Sequence, residues 1–327
     1  MWKHVVAAAM LVATLVCGAG GAVAGPGSDA TLKIALLPVF DVLPFFVAES
    51  RGLFETQQIR VVALTAGSSL EQSQLMMAEA IDGMLADLIV VAAFNREAVR
   101  VKAVASACRP AAGHPMFRVL SAPGLGDLSA RLVGLQVGVS HNTIIEYVTD
   151  RLLRAAGFEE GRIVKQSVPS IPERYQLLLQ GRLQGATLPE PLAASAMAAG
   201  ASSLVDDAAH PSFSVSVLVF SRQALAAKGE AVRRFLEAWS RAAAAINASP
   251  GAYRPLVREK IRIPPNLAET FTIGPYPVAE VPSAAQWDDV IAWMLSKQML
   301  ERPLAYRDAV EPGLLPREPP LSETHRR

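Results

Sequence analysis

Short apolar runs alternate along this chain with stretches whose apolar residues recur every three or four positions. Residues 32–37 form an apolar run closed by Pro38, which predicts a strand. Residues 43–51 predict a helix stopped by Gly52, which stands where a left-handed C-cap belongs. A strand at 60–64, a turn at 65–69, a helix at 70–80, a short strand at 84–85 and a helix at 87–95 follow. Strand and helix at this spacing predict a parallel sheet with both faces covered. The pattern then restarts with strands at 135–139, 163–168 and 185–187, and helices at 142–156, 171–180 and 192–199. An alternating run at 213–220 predicts a return strand. Long helices are predicted at 230–248 and, with Trp287 and Trp293, at 284–298. The proline-rich tail at 311–327 is expected to be disordered.

The two stretches match each other weakly at an offset of about 102–105 positions. Ile34 falls on Val137, the Gly52-Leu53-Phe54 stop on Gly157-Phe158, and Ile81-Asp82-Gly83 on Leu183-Gln184-Gly185. Solenoid repeats run to about 20–50 residues, so this longer offset predicts two similar α/β lobes instead. The expected division is a discontinuous first lobe at 31–121 and 218–310 and a second lobe at 122–217. Connections near 120–134 and 213–222 would act as a hinge.

Before the first strand, Lys3 and His4 precede an uncharged apolar run at 5–16, shorter than the ~20 residues a spanning helix needs. With Ala22-Val23-Ala24 behind it, the segment 1–24 reads as a secretory signal peptide. Lipid attachment at Cys17 is the less favoured processing, because bulky Val16 precedes it. The segment accounts for part of the 51% hydrophobic content and the mean hydropathy of +0.28. No later stretch reaches 18 uncharged apolar residues; 84–94 comes nearest and Asp87 interrupts it. A soluble, exported protein is expected. With 31 basic against 30 acidic side chains there is no electrostatic case for nucleic acid. Cleavage would leave Cys108 alone, so no intramolecular disulfide is expected.

Three helix starts carry the most informative chemistry. Ser68 and Ser69 precede Glu71 and Gln72, Thr143 precedes Glu146, and Ser170 precedes Pro172 and Glu173, each the pattern of a capping box. Capping alone explains such residues. These turns also follow parallel strands, where an open sheet places its ligand crevice, and helix N-termini there favour a polar or anionic group. Ser140 and Asn142 lie on the same edge. Arg174 opposes the helix dipole unless something anionic approaches. Glu190, held between Pro189 and Pro191, could accept from an amine or ring N–H. Asp41 is a loop carboxylate after the first strand, and Asp87 lies at a strand end. Cys108 with His114, and Ser140 with His141, make poor nucleophile–base pairs. His210 with Asp206 and Asp207 lacks further metal ligands. No phosphate loop, dinucleotide fingerprint or HExxH occurs. Neither a catalytic residue, a metal nor a cofactor is expected.

Ile34-Ala35-Leu36-Leu37-Pro38, Leu43-Pro44-Phe45-Phe46-Val47-Ala48-Glu49 and Arg51-Gly52-Leu53-Phe54 together resemble the opening of exported substrate-binding proteins of ABC importers. The nitrate, sulfonate, taurine and thiamine-pyrimidine group is the nearer match. Ala66-Gly67-Ser68-Ser69, Ile81-Asp82-Gly83, Ser140-His141-Asn142-Thr143 and Pro189-Glu190-Pro191 continue the resemblance, which spans about 33–250. It departs at Gln57-Gln58-Ile59, where the family carries a glycine. The resemblance implies a two-lobe, type 2 periplasmic-binding fold that clamps a small polar or anionic organic solute (sulfonate, nitrate or pyrimidine-like). It also implies delivery to a membrane permease with its ATPase by a monomer. Asp41, Ser68, Ser69 and Asp87 would face the solute from the first lobe, and Ser140, Asn142, Thr143, Arg174 and Glu190 from the second. Two other readings are an enzyme on the same fold, resembling pyrimidine-synthesis or menaquinone-pathway proteins, and an exported ligand-sensing accessory protein. The signal peptide disfavours the enzyme.

Overall fold

The computed structural model describes residues 31–125, 135–158 and 163–316. The expected signal peptide, and the tail from 317 onward, lie outside the described residues.

The chain opens with β1 (Thr31–Leu36), α1 (Leu43–Ser50), α2 (Leu53–Thr56), β2 (Arg60–Thr65), α3 (Ser69–Met77), β3 (Gly83–Asp87), α4 (Leu88–Phe94) and β4 (Val101–Cys108). It crosses at 109–116 into β5 (Phe117–Ser121), β6 (Gln136–Val139), α5 (Ile144–Ala155), β7 (Val164–Ser167), α6 (Ile171–Leu179), β8 (Gly185–Pro189), α7 (Leu192–Ala198) and β9 (Ser202–Asp206). Through 207–215 it returns to β10 (Ser216–Ser221), α8 (Arg222–Ala248), α9 (Arg254–Lys260), α10 (Ala284–Ser296) and α11 (Tyr306–Ala309).

Two five-stranded sheets result, ordered β2-β1-β3-β10-β4 and β7-β6-β8-β5-β9. The two orders superpose strand for strand. In each, three strands run parallel and the fourth is antiparallel to both neighbours. The repeat expected from sequence is a repeat of register: Ile34 lies opposite Gly83, and Val137 opposite Gly185. Both glycines are forced by close approach. A Cβ on Gly83 would stand 2.9 Å from the Phe220 ring, and one on Gly185 3.1 Å from the Leu120 carbonyl oxygen. The preceding side chains also match, since Asp82 accepts from the Lys33 N–H and Gln184 from the Gln136 N–H.

Several expectations need correction. Phe117–Ser121 pairs in the second sheet, so the division after 121 falls too late. The connections run at 109–116 and 207–215 rather than 120–134 and 213–222. Strands β4, β5 and β9 lie outside the sequence-predicted elements; in β4 and β9 small and polar residues such as Ala103, Ala105, Ser106 and Ser203 blur the alternation. Order also extends past 310. Glu311 donates its N–H to the Ala103 carbonyl at 2.9 Å and pairs with Lys102 at 3.0 Å, which fastens the tail to β4. Helix α8 begins at Arg222, eight residues early, and breaks at Lys228, whose ammonium binds Asp82 and the Thr31 carbonyl.

Alternation along each strand sends side chains to two cores. Leu32, Ile34 and Leu36 pack beside α1, α2 and α8 with Phe45, Phe54, Phe235 and Trp239. Leu120, Ala186 and Leu188 pack with Leu178, Ala193 and Ala196 of α6 and α7. The third core spans both lobes. It gathers Ala35, Met84 and Val217 of the first sheet, Val119, Val137 and Val139 of the second, and Trp287, Ile291 and Met294 of α10.

Candidate functional site

Strands β1, β2, β3 and β4 all end at one edge of the first sheet, where β10 begins. Ser216 there lies opposite both Asp87 and Cys108. In the second sheet β6, β7, β8 and β9 end at one edge, where β5 begins, with Phe117 opposite Pro189 and Arg118 opposite Asp206. Both connections run from one of these edges to the other, so the carboxyl ends of the two sheets form the two walls of a cleft. This is the crevice position of an open α/β sheet, doubled.

Asp207 pins the two connections together. Its carboxylate accepts from the Met116 N–H at 2.8 Å, the Phe117 N–H at 3.1 Å and the Ser214 hydroxyl. Burial pushes its pKa up to about 6, against the pull of those three donors. Sequence reading considered Asp207 only as a failed metal ligand. Its hinge role has no sequence signal, because two of its three donors are backbone groups about 90 residues away.

The expected row of free helix N-termini is engaged by the chain's own side chains. Ser68 caps α3 by accepting from the Glu71 N–H at 3.1 Å, and Glu71 accepts from the Gly67 N–H at 2.6 Å. Thr143 caps α5 through the Ile145 N–H at 3.2 Å, and Glu146 accepts from the Asn142 N–H at 2.7 Å. Asp87 caps α4 through the Ile89 and Val90 N–H groups, while burial raises its pKa. Ser170 caps α6. The Ser140 hydroxyl donates to the Pro169 carbonyl at 3.0 Å. Ser69 and the Asn142 side chain remain exposed at the rim, Asn142 with φ +61°.

Glu190 departs further from expectation. One oxygen pairs with Arg118 Nε at 2.7 Å and the other accepts from the Ala194 N–H at 3.1 Å, while Arg118 also holds Asp206 at 2.8 Å. It braces β8 against β5 and β9.

Arg174, expected to face the solute, is fully buried. Its Nη1 donates to the Val168 carbonyl at 2.6 Å and its Nε to the Thr187 carbonyl at 2.9 Å, joining the residue that follows β7 to the middle of β8. The stem fits because β6 carries Gly138, where a Cβ would stand 3.2 Å from Arg174 Cγ and Cδ. Nη2 has no partner, no carboxylate pairs with the guanidinium among the described residues, and burial lowers its pKa to about 10.

On the opposite wall Asp41 lies half-buried in the turn Phe40–Val42. Burial raises its pKa, while its own N–H and the adjacent Ser216 hydroxyl oppose that. That hydroxyl is buried and makes no hydrogen bond of full geometry. The Cys108 thiol is pushed well up by burial and by the Asp41 charge, and Tyr276 donates to the Phe40 carbonyl at 2.7 Å. Sequence reading missed Ser216 and Tyr276, since they reach Asp41 from strands and loops far along the chain. Beside them a cavity of about 230 Å³ opens between the two connections, lined by Arg109, Ala112, Ala208, Pro211, Tyr276 and Pro277 among others.

Among the described residues no group of three or more His, Cys, Asp or Glu side chains is placed to hold a metal, and no helix is long and apolar enough to cross a membrane. His210 stacks on Phe213 at 4.8 Å, away from any cluster with Asp206 and Asp207.

A sequence model described as the NMT1-like family matches residues 25–258. No curated protein sequence matches the chain. Among solved structures, the periplasmic aliphatic sulphonate binding protein SsuA from Escherichia coli superposes with a TM-score of 0.73 at 16% identity, covering 87% of this chain and 92% of that one. A zinc-bound ligand binding component of an ABC-type import system from Staphylococcus aureus gives 0.72 at 15% identity, covering 87% and 97%. The periplasmic nitrate-binding protein NrtA from Synechocystis PCC 6803 gives 0.65 at 13% identity, covering 87% of each chain. At these identities the likeness establishes a common two-lobe fold.

Proposed function

Because the chain belongs to the NMT1-like family, we propose that it is the exported solute-binding component of an ABC importer. In this reading a monomer in the periplasm clamps a small polar organic solute between its lobes and hands it to a membrane permease with its ATPase. The observation that carries the solute class is Arg174, a buried guanidinium with no carboxylate partner among the described residues and an unpartnered Nη2. An uncompensated charge under a low-dielectric wall projects its field into the cleft and draws an acidic group to the second lobe. Asp41 and Asp87 on the facing wall suit hydrogen-bond donors of the same solute. Ser69 and Asn142 are its proposed rim contacts, while Ser68, Ser140, Thr143 and Glu190 shape the turns behind them. Binding without bond-making is favoured, because burial and two nearby carboxylates keep the Cys108 thiol protonated, and a thiol is a poor nucleophile.

Thermal unfolding of the mature chain with sulfonates, nitrate, pyrimidines and aromatic carboxylates tests this reading. At 100 times the dissociation constant a true ligand stabilises by about 2.7 kcal/mol, a rise of several degrees in Tm. Arg174→Gln is expected to abolish that rise and Asp41→Asn to reduce it. No shift with any of the four classes sinks the proposed solute class. Unchanged affinity in Arg174→Gln removes Arg174 from recognition.

A further inference from the structure

Helix α10 meets the two lobes with different chemistry. Toward the first lobe it buries Trp287, Val290, Ile291 and Met294 in a core shared with Leu88, Val91 and Ala92 of α4, against which it packs closely. Toward the second, beside the apolar core that the lobes share, it presents a cluster of charged and polar groups. Asp289 takes Arg151 of α5 through two N–H groups, at 2.7 and 3.0 Å, and the Tyr147 hydroxyl at 2.6 Å. The Trp293 ring N–H donates to Asp150 at 2.9 Å, and Trp293 meets Tyr147 edge-on at 5.5 Å. Lys297, one residue past α10, pairs with Asp150 at 3.1 Å and reaches Glu146 at 3.6 Å. Glu146 and Asp150 also share Lys165 at 2.8 and 2.7 Å.

We propose that α10 moves with the first lobe and that its charged face is a latch on α5, holding the lobes closed, with Glu146 tying the latch to the cleft loop at 140–143. Apolar packing against α4 has no substitute in water, so that contact persists. Ion pairs and hydrogen bonds to α5 exchange for water at small net cost, so that contact can open. Glu146 serves both sides at once. One oxygen holds the Asn142 N–H at 2.7 Å and lies 3.3 Å from His141, and the other holds Lys165 and faces Lys297. A solute that repositions Asn142 therefore shifts a carboxylate on which the latch depends. A smaller uncharged tie spans the lobes elsewhere, where the Ser195 hydroxyl and carbonyl bond the Asn266 side chain at 2.8 and 3.1 Å.

This inference rests on the two-lobe clamping proposed above, and its test uses no solute, so the two can fail separately. Small-angle scattering of the full chain reads closure directly. A compact chain of this length has a radius of gyration of about 20 Å, and Asp289→Arg, which sets two cations against each other, is expected to raise it by roughly 1 Å. Lys297→Gln should give a smaller rise. The exchanged pair Arg151→Asp with Asp289→Arg should return to the wild-type curve, which also separates opening from misfolding. Wild-type scattering from both Asp289→Arg and Asp289→Arg with Asn266→Ala overturns the latch. So does an exchanged pair that restores neither the curve nor cooperative unfolding.

Discussion

The turns that open α3 and α5 are built from the same local chemistry and end in different surroundings. In each, a hydroxyl caps the helix and a glutamate three residues on reaches back to the N–H before the cap: Ser68, Glu71 and Gly67 in one lobe, Thr143, Glu146 and Asn142 in the other. Glu71 stays exposed and does nothing further. Glu146 is 4% exposed and meets His141, Lys165 and Lys297. Burial alone would raise its pKa, but the Lys165 and Asn142 hydrogen bonds and the two lysine charges bring it down to about 2. An identical capping motif is thus a helix start in one lobe and the centre of an inter-element ion network in the other. Sequence position sets the first role, and packing of α10 and β7 sets the second.

The sharpest way to break that comparison is to neutralise both glutamates. Glu146→Gln leaves Lys165 and Lys297 sharing Asp150 alone and is expected to cost about 2 kcal/mol, less than a fully buried pair because the lysines keep some water. Glu71→Gln should cost about 0.3 kcal/mol. Urea unfolding midpoints measure both, and equal losses would mean the network is only another exposed cap. The pH profile refines the same point. Glu146 is held at about 2 when folded against an ordinary 4.5, so its stabilisation is complete above about pH 5 and disappears as pH falls toward 2. The wild type should therefore lose more stability than Glu146→Gln over that window, and parallel acid curves would refute the network. Removing the caps comes last. Ser68→Ala and Thr143→Ala should each cost about 1 kcal/mol by the same measurement. A much larger loss at Thr143 would show that the two turns differ in the cap as well as in the glutamate.

Much of the fold was legible because its signals are local. Apolar runs announced β1, β2 and β6, and the Ile81-Asp82-Gly83 match with Leu183-Gln184-Gly185 marked two strands that must lie close beside a neighbour. Of the strands missed, β4 and β9 are interrupted by small and polar residues, and all three, β5 included, pair with strands distant in sequence. The candidate site was less legible. Ser68 and Thr143 were recognised as polar helix starts, and that is what they are. Arg174 and Glu190 were recognised as unusual, yet only their partners revealed one as a buried, unpaired cation and the other as half of a brace with Arg118.

By itself the sequence determined the two repeated α/β halves, their helix caps and the re-entry of the chain after 213, because propensity, capping and apolar periodicity act within a few residues. The tertiary structure alone decided where the halves divide, which polar groups remain unpaired, and how α10 joins the lobes. Those depend on which surfaces meet across more than 90 residues of chain, as Asp207 with Met116 and Asp289 with Arg151 do. A side chain's charge is written in the sequence, but whether it meets water, a partner or nothing is set by the fold.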